Sequence, residues 1–104
     1  LSLKAGKIIP VSKTNTIADG LKTTVGKLNF EIIKNHVKEV ILVSEDEISS
    51  AMRMIWERMK IIIEPSCAVP FAALLSKKTF FKNKKIGIIL TGGNVDLGNL
   101  PFKL

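Results

Sequence analysis

Two short stretches of consecutive apolar residues dominate the hydropathy pattern of the chain. The first is residues 39–43 (EVILV), and the second is residues 84–90 (KKIGIIL). Both are rich in β-branched residues and are apolar without alternation, which is typical of strands covered on both faces. We therefore predict two buried strands, one in each half of the chain.

Between these stretches the apolar positions follow helical spacing. Residues 44–47 (SEDE) form a capping box, in which a serine hydroxyl and a glutamate side chain satisfy free backbone amides. Apolar residues then recur with the period of a helix, at Ile48, Ala51, Met52, Ile55, Trp56 and Met59. Pro65 disfavours helical geometry at Glu64 but suits the first turn of another helix. The pattern thus predicts a break at residues 60–64 and a second, largely buried helix over residues 65–75, bent at Pro70.

The N-terminal part of the chain is less regular. Residues 1–15 are predicted to be an entry loop with one small strand at residues 7–9. The segment TIADGL (16–21) follows, and the segment LNFEIIKNHV is amphipathic. Its apolar face consists of Leu28, Ile32, Ile33 and His36/Val37.

The order of these elements predicts the fold class. Helices between two continuous apolar strands form a right-handed crossover, so we expect an α/β fold with a parallel βαβ sheet. In open parallel sheets, ligands bind beyond the carboxyl ends of the strands. The sequence LTGGNVDL (90–97) lies at such an end.

Length and composition narrow the class of protein. The 104 residues are enough for one domain or part of one, and 46% of them are hydrophobic. No apolar stretch approaches the roughly 18 residues that span a bilayer, and no secretory leader pattern is present. The single cysteine, Cys67, excludes an internal disulfide. We expect a cytoplasmic protein without a membrane partner.

The net charge of +7 raises the question of nucleic-acid binding. Most of the cations are lysines dispersed along the chain, and the densest set lies in the connection before the second predicted strand. That set is Lys77, Lys78, Lys82, Lys84 and Lys85. A solvated connection explains it, and we predict no nucleic-acid partner.

Few side chains form a chemical pattern by themselves. One cysteine, one histidine and scattered acids give no metal-ligand spacing, so we predict no metal site in this chain. His36 is interpreted as a surface or core-edge residue and Cys67 as a small buried residue. Glu64 is unusual because it follows three isoleucines, and burying a carboxylate is costly. It either caps the next helix or faces a polar cavity, and the sequence leaves both open.

Five blocks taken together identify a family. They are TIADGL (16–21), VSEDEI (43–48), IWERMK (55–60), IIIEPSCA (61–68) and LTGGNVDLGNLPF (90–102). In order and approximate spacing they resemble the C-terminal part of the serine racemase and serine/threonine dehydratase family, pyridoxal-phosphate enzymes of fold type II. The VDL-x-x-LPF ending is also similar to that of compact bacterial hydroxyaspartate ammonia-lyases. The resemblance implies that residues 1–104 form a single partial domain, the C-terminal part of the large cofactor-binding domain.

The resemblance also implies roles for individual residues. Thr91 takes the place of the hydroxyl that hydrogen-bonds the pyridine nitrogen of pyridoxal 5'-phosphate. Gly92 and Gly93 allow the backbone to approach the ring, and Glu64 and Gly20 belong to the cofactor pocket.

Three further positions follow from the same resemblance. Asp19 lies in the vicinity of the substrate. Lys60 and Asn94 correspond to a nucleotide effector site near the dimer interface of the activated racemases. Thr91 stands where serine is more usual, Cys67 where glycine or alanine is, and Pro70 is unusual within this helix of the family.

The family's Schiff-base lysine, glycine-rich phosphate loop and acidic metal loop all precede the TIADGL block. We therefore expect no catalytic residue in this segment and no activity of the chain alone. Its partners are expected to be the N-terminal part of the same enzyme, a second subunit in a homodimer, and an amino-acid substrate. A divalent cation would bind through the preceding part.

Two hypotheses on function remain. The complete enzyme removes ammonia from serine, threonine or 3-hydroxyaspartate by α-proton abstraction and β-elimination, or racemises the amino acid. The alternative is a catalytically inactive truncated or regulatory half-domain of the same fold.

Overall fold

A computed structural model of the chain describes residues 1–103. Its helices, in chain order, are α1 (Ser2–Ala5), a 3₁₀ turn (Asp19–Leu21), α2 (Lys27–His36), α3 (Glu45–Met59), α4 (Pro65–Ser76) and α5 (Lys78–Phe81). In the part of the chain so described, no helix has both the length and the apolar character needed to span a bilayer.

The start of α3 confirms the predicted capping box. The Ser44 hydroxyl accepts a hydrogen bond from the Glu47 amide at 3.2 Å, and the Glu47 carboxylate accepts one from the Ser44 amide at 2.7 Å. The helix ends at Met59, and Lys60 then adopts a left-handed conformation with φ 58°. Both ends of the helix therefore lie where the sequence predicts them.

The predicted second helix is present as α4, but it is less buried than predicted, because only Cys67, Ala68 and Ala72 are buried. It begins at Pro65, where the missing amide hydrogen costs nothing, and it continues without interruption past Pro70 to Ser76. Pro70 is tolerated inside the helix on an exposed face.

The core forms where α3 packs against α4. Its buried members are Ile48, Ala51, Met52, Ile55, Ile63, Cys67, Ala68 and Ala72. Trp56 borders this cluster and donates its indole N–H to the Ile63 carbonyl oxygen at 3.0 Å. The small residues of α4 allow close approach, which positions the first turn of α4 rigidly.

The predicted parallel sheet is absent among residues 1–103. Residues 39–43 and 84–90 form no backbone hydrogen-bond ladder. They are also not buried as predicted: Leu42 is 86% exposed and Ile89 is 80% exposed. The apolar pattern indicates only that a segment could be covered on both faces. A strand forms only when a neighbouring segment pairs with its backbone. Within these residues the two stretches do not pair with each other, and α3 and α4 leave much of each uncovered.

The N-terminal part differs from expectation in two ways. Residues 1–15 contain the single turn of α1, and no strand forms at residues 7–9. The predicted helix is present as α2, but its predicted apolar face is wrong: Leu28 is 83% exposed, whereas Phe30 is buried. The physical reason is that, within the described chain, α2 makes no extensive packing contact with another helix.

Candidate functional site

The loop of residues 91–93 lies against the first turn of α4. The Glu64 amide donates a hydrogen bond to the Gly92 carbonyl oxygen at 3.1 Å. The buried sulfur of Cys67 accepts from the amides of Thr91 at 3.1 Å and Gly92 at 2.9 Å, and its thiol donates to the Gly92 carbonyl oxygen at 2.9 Å. The loop therefore has a fixed position relative to α4.

The two glycines of this loop are needed for close approach of the backbone. A Cβ atom on Gly93 would lie 2.6 Å from the carbonyl oxygen of Ile62, a distance that real Cβ atoms essentially never show. On Gly92 it would lie 3.2 Å from Oε1 of Glu64. A larger residue at position 93 would push the loop away from the Ile62 backbone, whereas at position 92 the Glu64 side chain would have to move by a few tenths of an ångström.

A polar cavity of about 350 Å³ lies beside the start of α4. One wall comes from the segment that includes Asp19 and Lys22, which form an ion pair. A second wall is formed by residues 64–66, and a third by residues between Asn94 and Pro101. Glu64 thus faces a polar cavity, which was one of the two alternatives the sequence left open.

The loop that includes Asp19 is held from two sides. The Glu45 carboxylate accepts from the Ile17 amide at 2.8 Å, and the Ser66 hydroxyl accepts from the Gly20 amide at 3.0 Å. The Ile17 hydrogen bond is the main cause that lowers the pKa of Glu45, with the Thr16 hydroxyl acting in the same direction. An ionised carboxylate is therefore the form that holds this loop.

The cavity brings together some of the residues proposed from the sequence. Asp19, Glu64 and Asn94 line it, whereas Thr91, Gly92, Gly93, Gly20 and Lys60 are not among its lining residues. Gly20 nonetheless lies within hydrogen-bond distance of the lining residue Ser66. Lys60 is exposed at the end of α3, so this cavity does not join it with Asn94.

Three residues at the site have contacts that sequence reasoning missed. Cys67 was expected to be small and buried, which is confirmed, but its four contacts with residues 91–92 were not expected. Glu45 and Ser66 hold the Asp19 loop from the first turns of α3 and α4. Both residues fall inside the quoted blocks VSEDEI and IIIEPSCA, and that is the signal that could have drawn attention to them.

Metal ligands are not grouped in this structure. Among residues 1–103, no set of three or more histidine, cysteine, aspartate or glutamate side chains is arranged to hold an ion.

Thr91 and its glycine loop have the chemistry that a pyridine nitrogen requires. A hydroxyl has one proton to donate and can rotate about its C–O bond, and the close partner of Thr91 Oγ1 is the Cys67 sulfur at 3.1 Å. Because the Cys67 thiol donates to the Gly92 carbonyl oxygen, the Thr91 hydroxyl donates to the sulfur here, and it would turn this proton to a pyridine nitrogen. Thr91 is exposed, so its oxygen retains capacity for a further partner. The residues present therefore fit the ring-nitrogen side of a pyridoxal-phosphate site.

Comparisons with known proteins identify the class of protein to which this chain belongs. Residues 1–92 match the family described as pyridoxal-phosphate dependent enzyme, and the chain belongs to this family. The family identified from the five sequence blocks is thus confirmed.

Individual relatives narrow the comparison. The chain is 60% identical over 92 residues to a serine racemase from Dictyostelium discoideum, a match covering 85% of this chain and 28% of the relative. It is 46% identical over 101 residues to a beta-hydroxyaspartate dehydratase from Paracoccus denitrificans, covering 97% of this chain and 32% of the relative.

A solved structure of maize serine racemase superimposes with a TM-score of 0.86 at 45% identity, covering 93% of this chain and 32% of that one. The chain therefore spans about a third of the length of the proteins it matches.

Proposed function

We propose that this chain forms the ring-nitrogen side of the cofactor pocket in a pyridoxal-phosphate-dependent ammonia-lyase or racemase acting on a β-hydroxy amino acid. The observation that supports this most strongly is the placement of the Thr91 hydroxyl. It lies on a glycine loop that makes three hydrogen bonds with the α4 residue Cys67, two donated by loop amides and one donated by the thiol. Membership of the family and the names of its relatives support the same class of reaction.

The cofactor, when bound, supplies an electron-withdrawing ring that stabilises the charge left on the α-carbon after proton removal. Thr91 would hydrogen-bond the ring nitrogen. A neutral hydroxyl, unlike a carboxylate, does not keep that nitrogen protonated, so the electron demand stays moderate. Moderate demand suits both β-elimination and racemisation.

The remaining residues of the site would shape the pocket rather than move protons. Gly92 and Gly93 keep side chains away from the loop, so that a flat ring can approach the backbone. Glu64 adds a carboxylate to the polar cavity, where Asp19 is already paired with Lys22, and the cavity could hold the polar groups of an amino-acid substrate. We expect the base that removes the α-proton to come from a part of the complete enzyme that precedes this chain.

The exposed apolar residues of the structure favour a role within a larger assembly. Leu42 and Ile89 are both at least 80% exposed, and exposed apolar surfaces of this kind commonly mark contacts with another part of a protein. We propose that the preceding part of the enzyme covers them and that the complete protein is a homodimer.

Native mass spectrometry paired with a visible absorption spectrum tests this function. We expect the natural protein to have a larger mass than this 11.4 kDa chain and to contain one pyridoxal phosphate per subunit. It should also release ammonia from serine, threonine or 3-hydroxyaspartate, or racemise one of them. A cofactor-free chain of 11.4 kDa, or a simple multiple of it, would instead support the inactive half-domain.

A further inference from the structure

One hydrogen bond joins two walls of the polar cavity. The Gly20 amide, in the 3₁₀ turn, donates to the hydroxyl oxygen of Ser66, the second residue of α4, at 3.0 Å. The two residues are 46 positions apart in the chain, so this bond is a tertiary contact. Asp19 lies on one side of the contact and Glu64 on the other, and both line the cavity.

The same contact also limits how closely the walls can approach. A Cβ atom added to Gly20 would lie 3.0 Å from the Ser66 hydroxyl oxygen and 3.4 Å from Ser66 Cβ. The Ser66 hydroxyl therefore holds the turn against α4 through its hydrogen bond, and its oxygen atom also prevents a closer approach of the turn. A side chain at position 20 would require the Ser66 hydroxyl to move by a few tenths of an ångström.

The turn has a second attachment on the other side of Asp19. The Ile17 amide donates to Glu45 at 2.8 Å, from the first turn of α3. Asp19 thus lies between two fixed points. The Thr91 loop is held by the next residue of α4, Cys67, so both parts of the site depend on the first turn of this helix but on different side chains.

We propose that Ser66 is a positioning residue that sets the width of the cavity by holding the Asp19–Leu21 turn against α4. This inference rests on the proposed function, because it assigns the cavity between Asp19 and Glu64 to the amino-acid substrate. Loss of the Ser66 hydroxyl frees the Gly20 amide and lets the turn move. Substrate binding weakens as a result. Cofactor binding weakens less, because the Thr91 loop is held by Cys67, although Gly20 and Glu64 are also expected at the cofactor pocket.

Steady-state kinetics on variants of the complete natural protein test the proposal. Ser66→Ala should raise KM by roughly three- to tenfold, the cost of one hydrogen bond, with kcat nearly unchanged and with a smaller change in cofactor affinity. Ser66→Thr retains a hydroxyl and should restore KM. The proposal would be overturned if kcat and cofactor affinity fell by as large a factor as KM rose. It would also be overturned if KM of Ser66→Thr were as high as that of Ser66→Ala.

A double-mutant cycle adds a sharper test. Gly20→Ala alone should raise KM because its Cβ atom meets the Ser66 hydroxyl. Combined with Ser66→Ala, the same change should do less harm than the two single effects added together, since the obstructing oxygen is gone. Strictly additive effects would contradict a direct contact.

A matched control lies at the other end of the same helix. The Ser76 hydroxyl donates only to the Ala73 carbonyl oxygen, at 3.3 Å, within the part of the chain that the structure describes. Ser76→Ala should leave KM and kcat unchanged. A rise in KM equal to that of Ser66→Ala would show that the effect is not specific to the cavity.

Hydrogen exchange separates this proposal from the proposed function. The Gly20 amide should exchange faster in Ser66→Ala than in the unsubstituted protein, whether or not any amino acid is turned over. If the unsubstituted protein binds no pyridoxal phosphate, the proposed function is wrong, and faster Gly20 exchange would still support the tether. Unchanged exchange at Gly20 would overturn it.

Discussion

The sulfur of Cys67 lies 3.1 Å from the hydroxyl oxygen of Thr91, and it accepts the hydrogen bond between them because its own proton goes to the Gly92 carbonyl oxygen. Cys67 is fully buried in the core between α3 and α4, so its position is determined by helix packing. The orientation of the Thr91 hydroxyl therefore depends on a residue that has no access to a ligand itself.

Replacement of Cys67 by alanine should destabilise the protein. The partly exposed amides of Thr91 and Gly92 would lose their partner, and each lost hydrogen bond costs about 0.5–1.5 kcal/mol. Urea denaturation of the purified protein measures this as a lower free energy of unfolding. Cys67→Ser retains a polar atom and should lose less. Equal stability of the alanine variant and the parent would show that the sulfur contacts do not support the loop.

Gly93→Ala should also be destabilising, for a steric reason. Its Cβ atom would lie 2.6 Å from the Ile62 carbonyl oxygen, and overpacking of this kind costs about 1–3 kcal/mol. Gly87 is the matched control, because a Cβ atom there meets nothing within 4 Å. Thermal unfolding should show a lower midpoint for Gly93→Ala and no loss for Gly87→Ala. Similar losses for both variants would contradict the close approach at Gly93.

The helices of this fold could be predicted because their signals are local. The capping box at Ser44 and the proline at position 65 are readable within one turn, and the structure has both. The strands could not be settled in this way, since the apolar pattern of residues 39–43 says nothing about which backbone pairs with it. The same limit explains the misjudged face of α2, where Phe30 rather than Leu28 is buried.

In the candidate site, too, the residues with local sequence signals could be predicted and those that depend on distant contacts could not. Thr91, the two glycines after it and Glu64 could be proposed from short blocks of sequence with a family resemblance. The supports at Glu45 and Ser66 could not, because each depends on the approach of segments 28 and 46 residues apart. Contacts between residues far apart along the chain were therefore missed, whatever the residue types involved.

Glu45 should make the stability of the protein depend on acid pH. The hydrogen bond from Ile17 lowers the pKa of Glu45 from its ordinary 4.5, and Thr16 and Lys22 act in the same direction against desolvation. Because the folded-state pKa is the lower one, the contribution of ionised Glu45 is complete above about pH 4.5 and is lost as the pH falls through the folded-state pKa.

Unfolding free energies measured from about pH 7 to about pH 3 check this dependence. Glu45→Gln cannot titrate, so its stability should fall less steeply below pH 4.5 than that of the parent. Asp46→Asn, in the same helical turn, is the control and should retain the steep fall. A steep fall that persists unchanged in Glu45→Gln would show that the Ile17 contact has no part in it.

Lys60→Gly should stabilise the protein. Lys60 has φ 58°, and the left-handed conformation costs an ordinary residue about 1–2 kcal/mol while it costs glycine almost nothing. Part of the gain is offset by the greater flexibility of glycine in the unfolded chain, so we expect an increase of about 0.5–1 kcal/mol. Asn83→Gly, at φ 61°, should gain less because asparagine tolerates this conformation. A loss of stability in Lys60→Gly would mean that the lysine side chain has a stabilising contact.

The most direct test of the central claim, that the Thr91 hydroxyl is the ring-nitrogen partner, is cofactor titration of the complete protein followed by visible absorption. Thr91→Ala should weaken pyridoxal-phosphate binding by roughly tenfold and shift the absorption of the bound cofactor. Thr91→Ser should match the parent, as should the control Thr79→Ala in α5. Unchanged affinity and absorption in Thr91→Ala would contradict the account.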